Sequence, residues 1–207
     1  MTTPKPTVCA AKPTEPDSAR VQWDLSPSPS GASVLTLHGD LKPGWLGRLS
    51  SHLSYNKISI ASGSAIKSSV LCWDAEFEID VKYSDQDKLK GFDPLPAVMS
   101  TNDLTTLPTL KISDFQVERS TRHGGSAYVE ICGKDCIGFL YRVLRVFSFY
   151  SLFPIELEIS TSGVIANDRF WLKGIGAAVP AKEDMTALYD RLAMMLNEGL
   201  KKSPSKH

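Results

Sequence analysis

Leu35-Thr36-Leu37-His38-Gly39-Asp40-Leu41-Lys42-Pro43-Gly44-Trp45-Leu46 has a counterpart later in the chain, Tyr128-Val129-Glu130-Ile131-Cys132-Gly133-Lys134-Asp135-Cys136-Ile137-Gly138-Phe139-Leu140. Each stretch reads as an alternating strand, a short acidic turn, a glycine and then an amphipathic helix. The glycines recur 94 residues apart, 39 with 133 and 44 with 138. Registering Gly44 on Gly138 also pairs Trp45 with Phe139, Leu46 with Leu140, Arg48 with Arg142, Leu49 with Val143 and Leu53 with Phe147. Agreement in apolar, basic and glycine positions along a whole helix points to a duplicated supersecondary unit, and a repeat governs how the rest of the chain is read.

Working outward, Val21, Trp23 and Leu25 alternate with Gln22 and Asp24, which predicts a strand; Ser26-Pro27-Ser28-Pro29-Ser30-Gly31 is a loop. The helix predicted from Gly44 to about Tyr55 puts Leu46, Leu49 and Leu53 on one face, and Ile58 and Ile60 open the next strand. Trp73, Ala75, Phe77 and Ile79 alternate strictly with Asp74, Glu76, Glu78 and Asp80, so that strand has one wet and one dry face. Asp93 followed by Pro94 starts a short helix through Met99. A strand over residues 110–118 follows, then a turn at His123-Gly124-Gly125 and a strand through Ile131. A helix from Gly138 to about Tyr150, strands over 155–161 and 166–173, and a last helix after Pro180 complete the chain; that helix turns Met185, Leu188, Leu192, Met195 and Leu196 inward.

Each unit is therefore β-β-α-β-β-α, whereas the split βαβ order is β-α-β-β-α-β. Nothing strand-like follows the last helix, so the second unit has to take its fourth strand from residues 110–118, and the first from 21–25. The class is α+β: two ferredoxin-like units of antiparallel strands with helices on one face, each led by an extra strand in the edge slot. The expected organisation is a disordered arm over 1–19, units over 20–105 and 106–200, and a flexible tail over 201–207, since four prolines crowd the first 16 residues and the last seven are polar.

Composition narrows the function classes. A chain of 207 residues with 42% hydrophobic content can build two packed cores. Its net charge of zero gives no electrostatic footprint for nucleic acid or an anionic membrane. No apolar run approaches the roughly 20 residues of a membrane helix. The first residues lack the apolar stretch of a signal peptide, and Cys9, Cys72, Cys132 and Cys136 make no disulfide framework, so a cytoplasmic setting is expected.

The motifs resemble the ACT domain, a ligand-sensing βαββαβ module marked by Asp-x-Pro-Gly-Leu-Leu at the start of its first helix and a Thr-x-Gly turn. Asp135-Cys136-Ile137-Gly138-Phe139-Leu140, Ser160-Thr161-Ser162-Gly163 and Asn167-Asp168-Arg169-Phe170-Trp171-Leu172 follow the family's order. More narrowly, residues 107–200 are similar to the C-terminal ACT-repeat region of PII uridylyltransferase/uridylyl-removing enzymes. The chain departs from the pattern where Ile137 replaces proline, where Asp40 lies four residues before its glycine, and where Pro154 enters a strand. The resemblance implies binding of a small amino acid at Asp40, Pro43, Gly44, Trp45 and Leu46 or at Asp135, Ile137, Gly138, Phe139 and Leu140. There the unpaired N–H groups of a helix start suit a carboxylate, and an aspartate suits an ammonium. The same glycines also serve a bare strand-to-helix turn, and the same aspartates a helix cap.

Other chemistry is thin. Gly124-Gly125-Ser126 lacks the paired carboxylates that nucleotidyl transfer needs, the histidines are scattered, and Cys132-x-x-x-Cys136 lacks two further zinc ligands. Arg48, Arg142 and Arg145 are expected on solvated helix faces. Tyr128, Phe170 and Trp171 lack the basic, glycine-rich context of an RNA-binding sheet. The expected protein is a non-catalytic regulator without cofactor or metal, with tandem units that pair with each other in a homodimer and signal to a partner enzyme. The alternative is a degenerate module for dimerisation or docking, without ligand.

Overall fold

Alternation in the sequence becomes eight strands, and the computed structural model describes them over residues 20–70, 72–81, 89, 91–99 and 110–201, with side chains up to Asn197. In chain order the elements are β1 (Val21–Pro27), β2 (Ser33–Asp40), α1 (Trp45–Tyr55), β3 (Ser59–Lys67), β4 (Cys72–Asp80), α2 (Leu95–Met99), β5 (Ile112–Ser120), β6 (Ser126–Lys134), α3 (Phe139–Phe149), β7 (Phe153–Ser162), β8 (Ile165–Lys173) and α4 (Lys182–Lys201). The expected arm over 1–19, the tail past residue 201 and the boundary between 105 and 106 lie outside the described residues. The start of α2 follows the sequence closely: the Asp93 carboxylate accepts a hydrogen bond from the Leu95 N–H at 2.9 Å.

The strands form one antiparallel sheet in the order β1-β2-β4-β3-β7-β8-β6-β5. That order repeats when β1–β4 are matched with β5–β8. The leading strands fill the edge slots as expected: Val21 lies opposite Gly39 and Leu25 opposite Leu35, while Ile112 lies opposite Gly133 and Val117 opposite Val129. The two sets of four join through β3 and β7, from Ser62 opposite Ser160 to Ile66 opposite Glu156. Pro154 sits beyond that stretch, where the β7–β8 register shifts between Pro154 and Glu156, so its missing N–H removes no bond from the join.

One face of the sheet carries the core. Leu35, Leu37, Phe77, Val129, Ile131, Phe170 and Leu172 from the strands are buried with Leu49, Leu53, Val143, Phe147, Leu188 and Leu192 from the helices. Aromatic pairs lock elements together: Trp45 with Trp73 at 5.4 Å, Phe147 with Phe170 at 4.9 Å and Phe115 with Tyr189 at 5.2 Å. Each such large side chain contributes roughly 1.5–3 kcal/mol on burial. Helices α1 and α3, one from each half, touch over the β3–β7 join.

Two repeated glycines make room for the leading strands. A Cβ on Gly39, whose φ is +128°, would lie 2.0 Å from the Arg20 carbonyl oxygen. A Cβ on Gly133 would lie 2.7 Å from the Lys111 carbonyl oxygen and 2.7 Å from the Phe139 ring. Arg20 and Lys111 hold matching places just before β1 and β5, so the repeat conserves a close backbone approach. Gly39→Ala and Gly133→Ala are expected to cost roughly 1–3 kcal/mol in urea or thermal melts. Gly47, inside α1 with nothing within 4 Å of a Cβ, behaves oppositely: Gly47→Ala is expected to stabilise by about 0.5–1 kcal/mol. Equal melts for the three variants would refute this account of the glycines.

Candidate functional site

Both turns after the paired strands use one device. Gly44 and Gly138 sit at the helix starts with φ of +80° and +79°, a left-handed geometry that glycine adopts without penalty. The N-cap residue of each helix is this glycine, which brings no side-chain cap. Four residues after each glycine an arginine reaches back. Arg48 Nη1 donates to the Pro43 carbonyl at 3.0 Å and its Nη2 to the Val98 carbonyl at 3.0 Å. Arg142 donates from Nε to the Gly138 carbonyl at 3.1 Å and from Nη2 to the Ile137 carbonyl at 3.2 Å and the Cys136 sulfur at 2.7 Å. The expectation of solvated arginines is thus corrected for Arg142, which is buried, and for Arg48, which is half-buried. The carbonyls of Pro43 and Ile137 lie outside the helix ladder and need donors, and the arginines supply them.

The two turns differ in what surrounds them. At the first, Asp40 faces Arg20 at 3.8 Å, Pro43 and Gly44 are exposed, and Trp45 and Leu46 are committed to the core. At the second, Asp135, Gly138, Phe139 and Leu140 line a cavity of ≈ 30 Å³. Ile137 is not in its lining; its carbonyl is held by Arg142. The remaining walls come from both halves: Ser50 and Leu53 of α1, Ile58 with Ser59 and Ile60 of β3, Cys136 of the turn, Tyr141 of α3, Ile159 and Thr161 of β7, and Ala166 and Asp168 of β8. That volume admits groups of about the size of water.

Asp168 is the residue that sequence reasoning missed as a site group. Alternation along β8 puts it on the dry face with Ala166, Phe170 and Leu172, and it is 1% exposed. Its Oδ1 has no hydrogen-bond partner among the described residues, and neither has the buried Tyr141 hydroxyl in the same cavity. Burial pushes the Asp168 carboxyl up to about 8, the nearby Asp135 charge adds to the rise, and a hydrogen bond from the Ser160 backbone opposes it. The first half has no equivalent. Leu37 faces Ala75 across β2–β4, where Ile131 faces Asp168 across β6–β8. An acid at a position of a period-2 strand that should be apolar is the signal that was available.

The opposite face of the sheet is polar. Tyr128 and Trp171 lie 5.4 Å apart there, with the Arg122 guanidinium 4.2 Å over the indole. Phe170 does not join them, because it points to Phe147 on the helix side, so the three aromatics form no shared platform. The surroundings are acidic: Glu130 accepts from the Tyr128 hydroxyl at 2.6 Å, and Glu156 is held by His123 at 2.5 Å and Arg122 at 3.3 Å. Among the described residues no three His, Cys, Asp or Glu side chains are grouped to hold a metal, and no helix is long and apolar enough to cross a membrane.

The buried carboxyl sets a pH dependence. A raised carboxyl pKa means that the folded chain holds a proton which the unfolded chain releases near 3.8, the ordinary value for the group. Stability from this group is therefore full below about pH 4, falls as pH rises towards 8, and is flat above, a loss on the order of 4 kcal/mol by pH 7. Asp168→Asn, which has no proton to lose, is expected to melt higher than the parent at pH 8 and to close that gap at pH 4. A parent-to-variant gap independent of pH would contradict the assignment. No significant match to this chain was found among family models, curated proteins or solved structures.

Proposed function

We propose that this chain is a non-catalytic sensor of a small amino acid, built from two ferredoxin-like, ACT-type units, with one binding site at the second turn. The observation that carries the reading is the convergence of Asp135, Gly138, Phe139 and Leu140 on a cavity whose far wall, Ser50 to Ile60, belongs to the other half. At the N-terminus of α3 the Phe139 N–H bonds the Cys136 carbonyl, the N–H groups of Leu140 and Tyr141 that follow suit a carboxylate, and the acids at the cavity suit an ammonium. A ligand whose ammonium end enters the cavity between the halves would bias their fit and so pass a signal to a partner protein. The first turn serves as scaffold in this reading, since Arg20 engages Asp40 and the core takes Trp45 and Leu46.

A thermal-shift screen of the twenty amino acids tests the reading. A ligand at 100 times its dissociation constant adds about 2.7 kcal/mol, so one or a few amino acids at millimolar concentration are expected to raise the melting temperature by several degrees. Gly138→Val, strained at a φ of +79°, is expected to lose the response. A flat response across the set would favour the ligand-free docking module instead.

Assembly is part of the proposal. Among the described residues the β5 edge of the sheet is packed by α4 while the β1 edge has no such helix against it, and an open edge invites pairing with a second copy. Light scattering at micromolar concentration is expected to give a homodimer; a monomer mass would reject it.

A further inference from the structure

We infer that Asp168 and the Tyr141 hydroxyl form a primary-ammonium subsite at the buried end of the cavity. The inference deepens the proposed site, because it says which end of a ligand goes where, and it rests on that cavity being a binding site.

The first ground is unsatisfied polarity. Asp168 is 1% exposed and Tyr141 2%, both line the cavity, and each has a polar atom with no partner among the described residues. Buried polar atoms are satisfied in the great majority of structures, so two residues that line one void and each hold an orphan atom point to a guest. A carboxylate only accepts and a hydroxyl also accepts, so a guest rich in donors satisfies both.

The second ground is charge and size. The lining contains two acids, Asp135 and Asp168, and no lysine, arginine or histidine. Three polar groups on neighbouring elements have other partners. On the turn, Arg142 is spent on the carbonyls of Ile137 and Gly138; on β7, Glu158 is on the opposite face at 3.4 Å from Arg169; on β6, the Cys132 thiol is held protonated by burial and the surrounding acids. A void of ≈ 30 Å³ has room for an ammonium head, which is the size of water. Taking up R–NH₃⁺ while releasing one H⁺ from Asp168 to solvent leaves the net charge of the site unchanged, so the buried end gains a charge-assisted hydrogen bond without a new uncompensated charge.

Proton release fixes the pH behaviour. Below the titration of Asp168 one proton leaves per cation bound, so apparent affinity rises tenfold per pH unit and levels off above it. Water filling the same void in contact with a neutral Asp168 gives no such rise.

The probe is ammonium chloride, with tetramethylammonium chloride at equal ionic strength as control. The side-chain carboxyl ¹³C resonance of Asp168 is assigned by its loss in Asp168→Asn. At pH 7, ammonium is expected to move that resonance to the ionised position and to raise the melting temperature, while tetramethylammonium does neither. The half-saturating ammonium concentration is expected to fall about tenfold from pH 6 to 7. Asp168→Asn is expected to lose the ammonium response and Tyr141→Phe to weaken it several-fold. An Asp168 resonance unmoved at saturating ammonium, or an equal thermal response in Asp168→Asn, would overturn the subsite. If ammonium acts as described while no amino acid stabilises the chain, the subsite stands and the sensor reading falls. If an amino acid stabilises parent and Asp168→Asn alike, the sensor reading stands and the subsite falls.

Discussion

Everything distinctive in this molecule depends on the pairing of β3 with β7. Five residue pairs, Ser62–Ile66 against Glu156–Ser160, turn two four-stranded sets into one sheet. The same pairing brings α1 against α3 and places Ser59 and Ile60 opposite Ile159 and Thr161 across the cavity. The paired stretch of β3 is Ser-Gly-Ser-Ala-Ile, so side chains contribute little bulk at the join and the backbone ladder carries it. Gly63 shows why the residues are small: a Cβ there would lie 2.3 Å from the Glu76 carbonyl and 2.7 Å from the Phe77 ring. The join can form because β3 yields space to β4.

Duplication in this chain keeps the backbone and changes the chemistry. Gly39 and Gly133 admit a leading strand, Gly44 and Gly138 make the same left-handed turn, and Arg48 and Arg142 grip the carbonyls of Pro43 and Ile137. These features are demanded by geometry, and both copies retain them. The acids are not demanded by geometry. Asp40 turns to Arg20, Asp135 turns to the cavity, and the carboxyl of Asp168 has only the methyl group of Ala75 as its counterpart.

Much of the α+β architecture was legible because it is written in period. The Trp73–Ile79 alternation, the Leu46–Leu49–Leu53 stripe and the lack of a strand after the last helix led directly to the strand pairs of β1 with β2 and β5 with β6. The arginines were misread because periodicity reports which face a residue leaves from, not how far a long side chain bends back. Asp168 was passed over because it sat inside a recognised motif, although its place on the dry face of β8 contradicted the pattern around it. The cavity itself was not legible. It is made by residues from Ser50 to Asp168, and no local window spans that distance.

That span has a consequence in time. The partners in the β3–β7 join are separated by 90 to 98 positions in the chain, from 66 with 156 to 62 with 160. Closing so long a loop costs entropy before any contact rewards it, and such pairings form late. On the ribosome the first half emerges complete while the edge of β3 still lacks its neighbour. Until β7 and β8 are synthesised the nascent chain has α1 and β3 but no pocket between them, with an exposed strand edge of serine, glycine and alanine as its vulnerable surface. The order of synthesis therefore makes the cavity one of the last features to appear, and any ligand it holds would act only on a chain whose sheet is already whole.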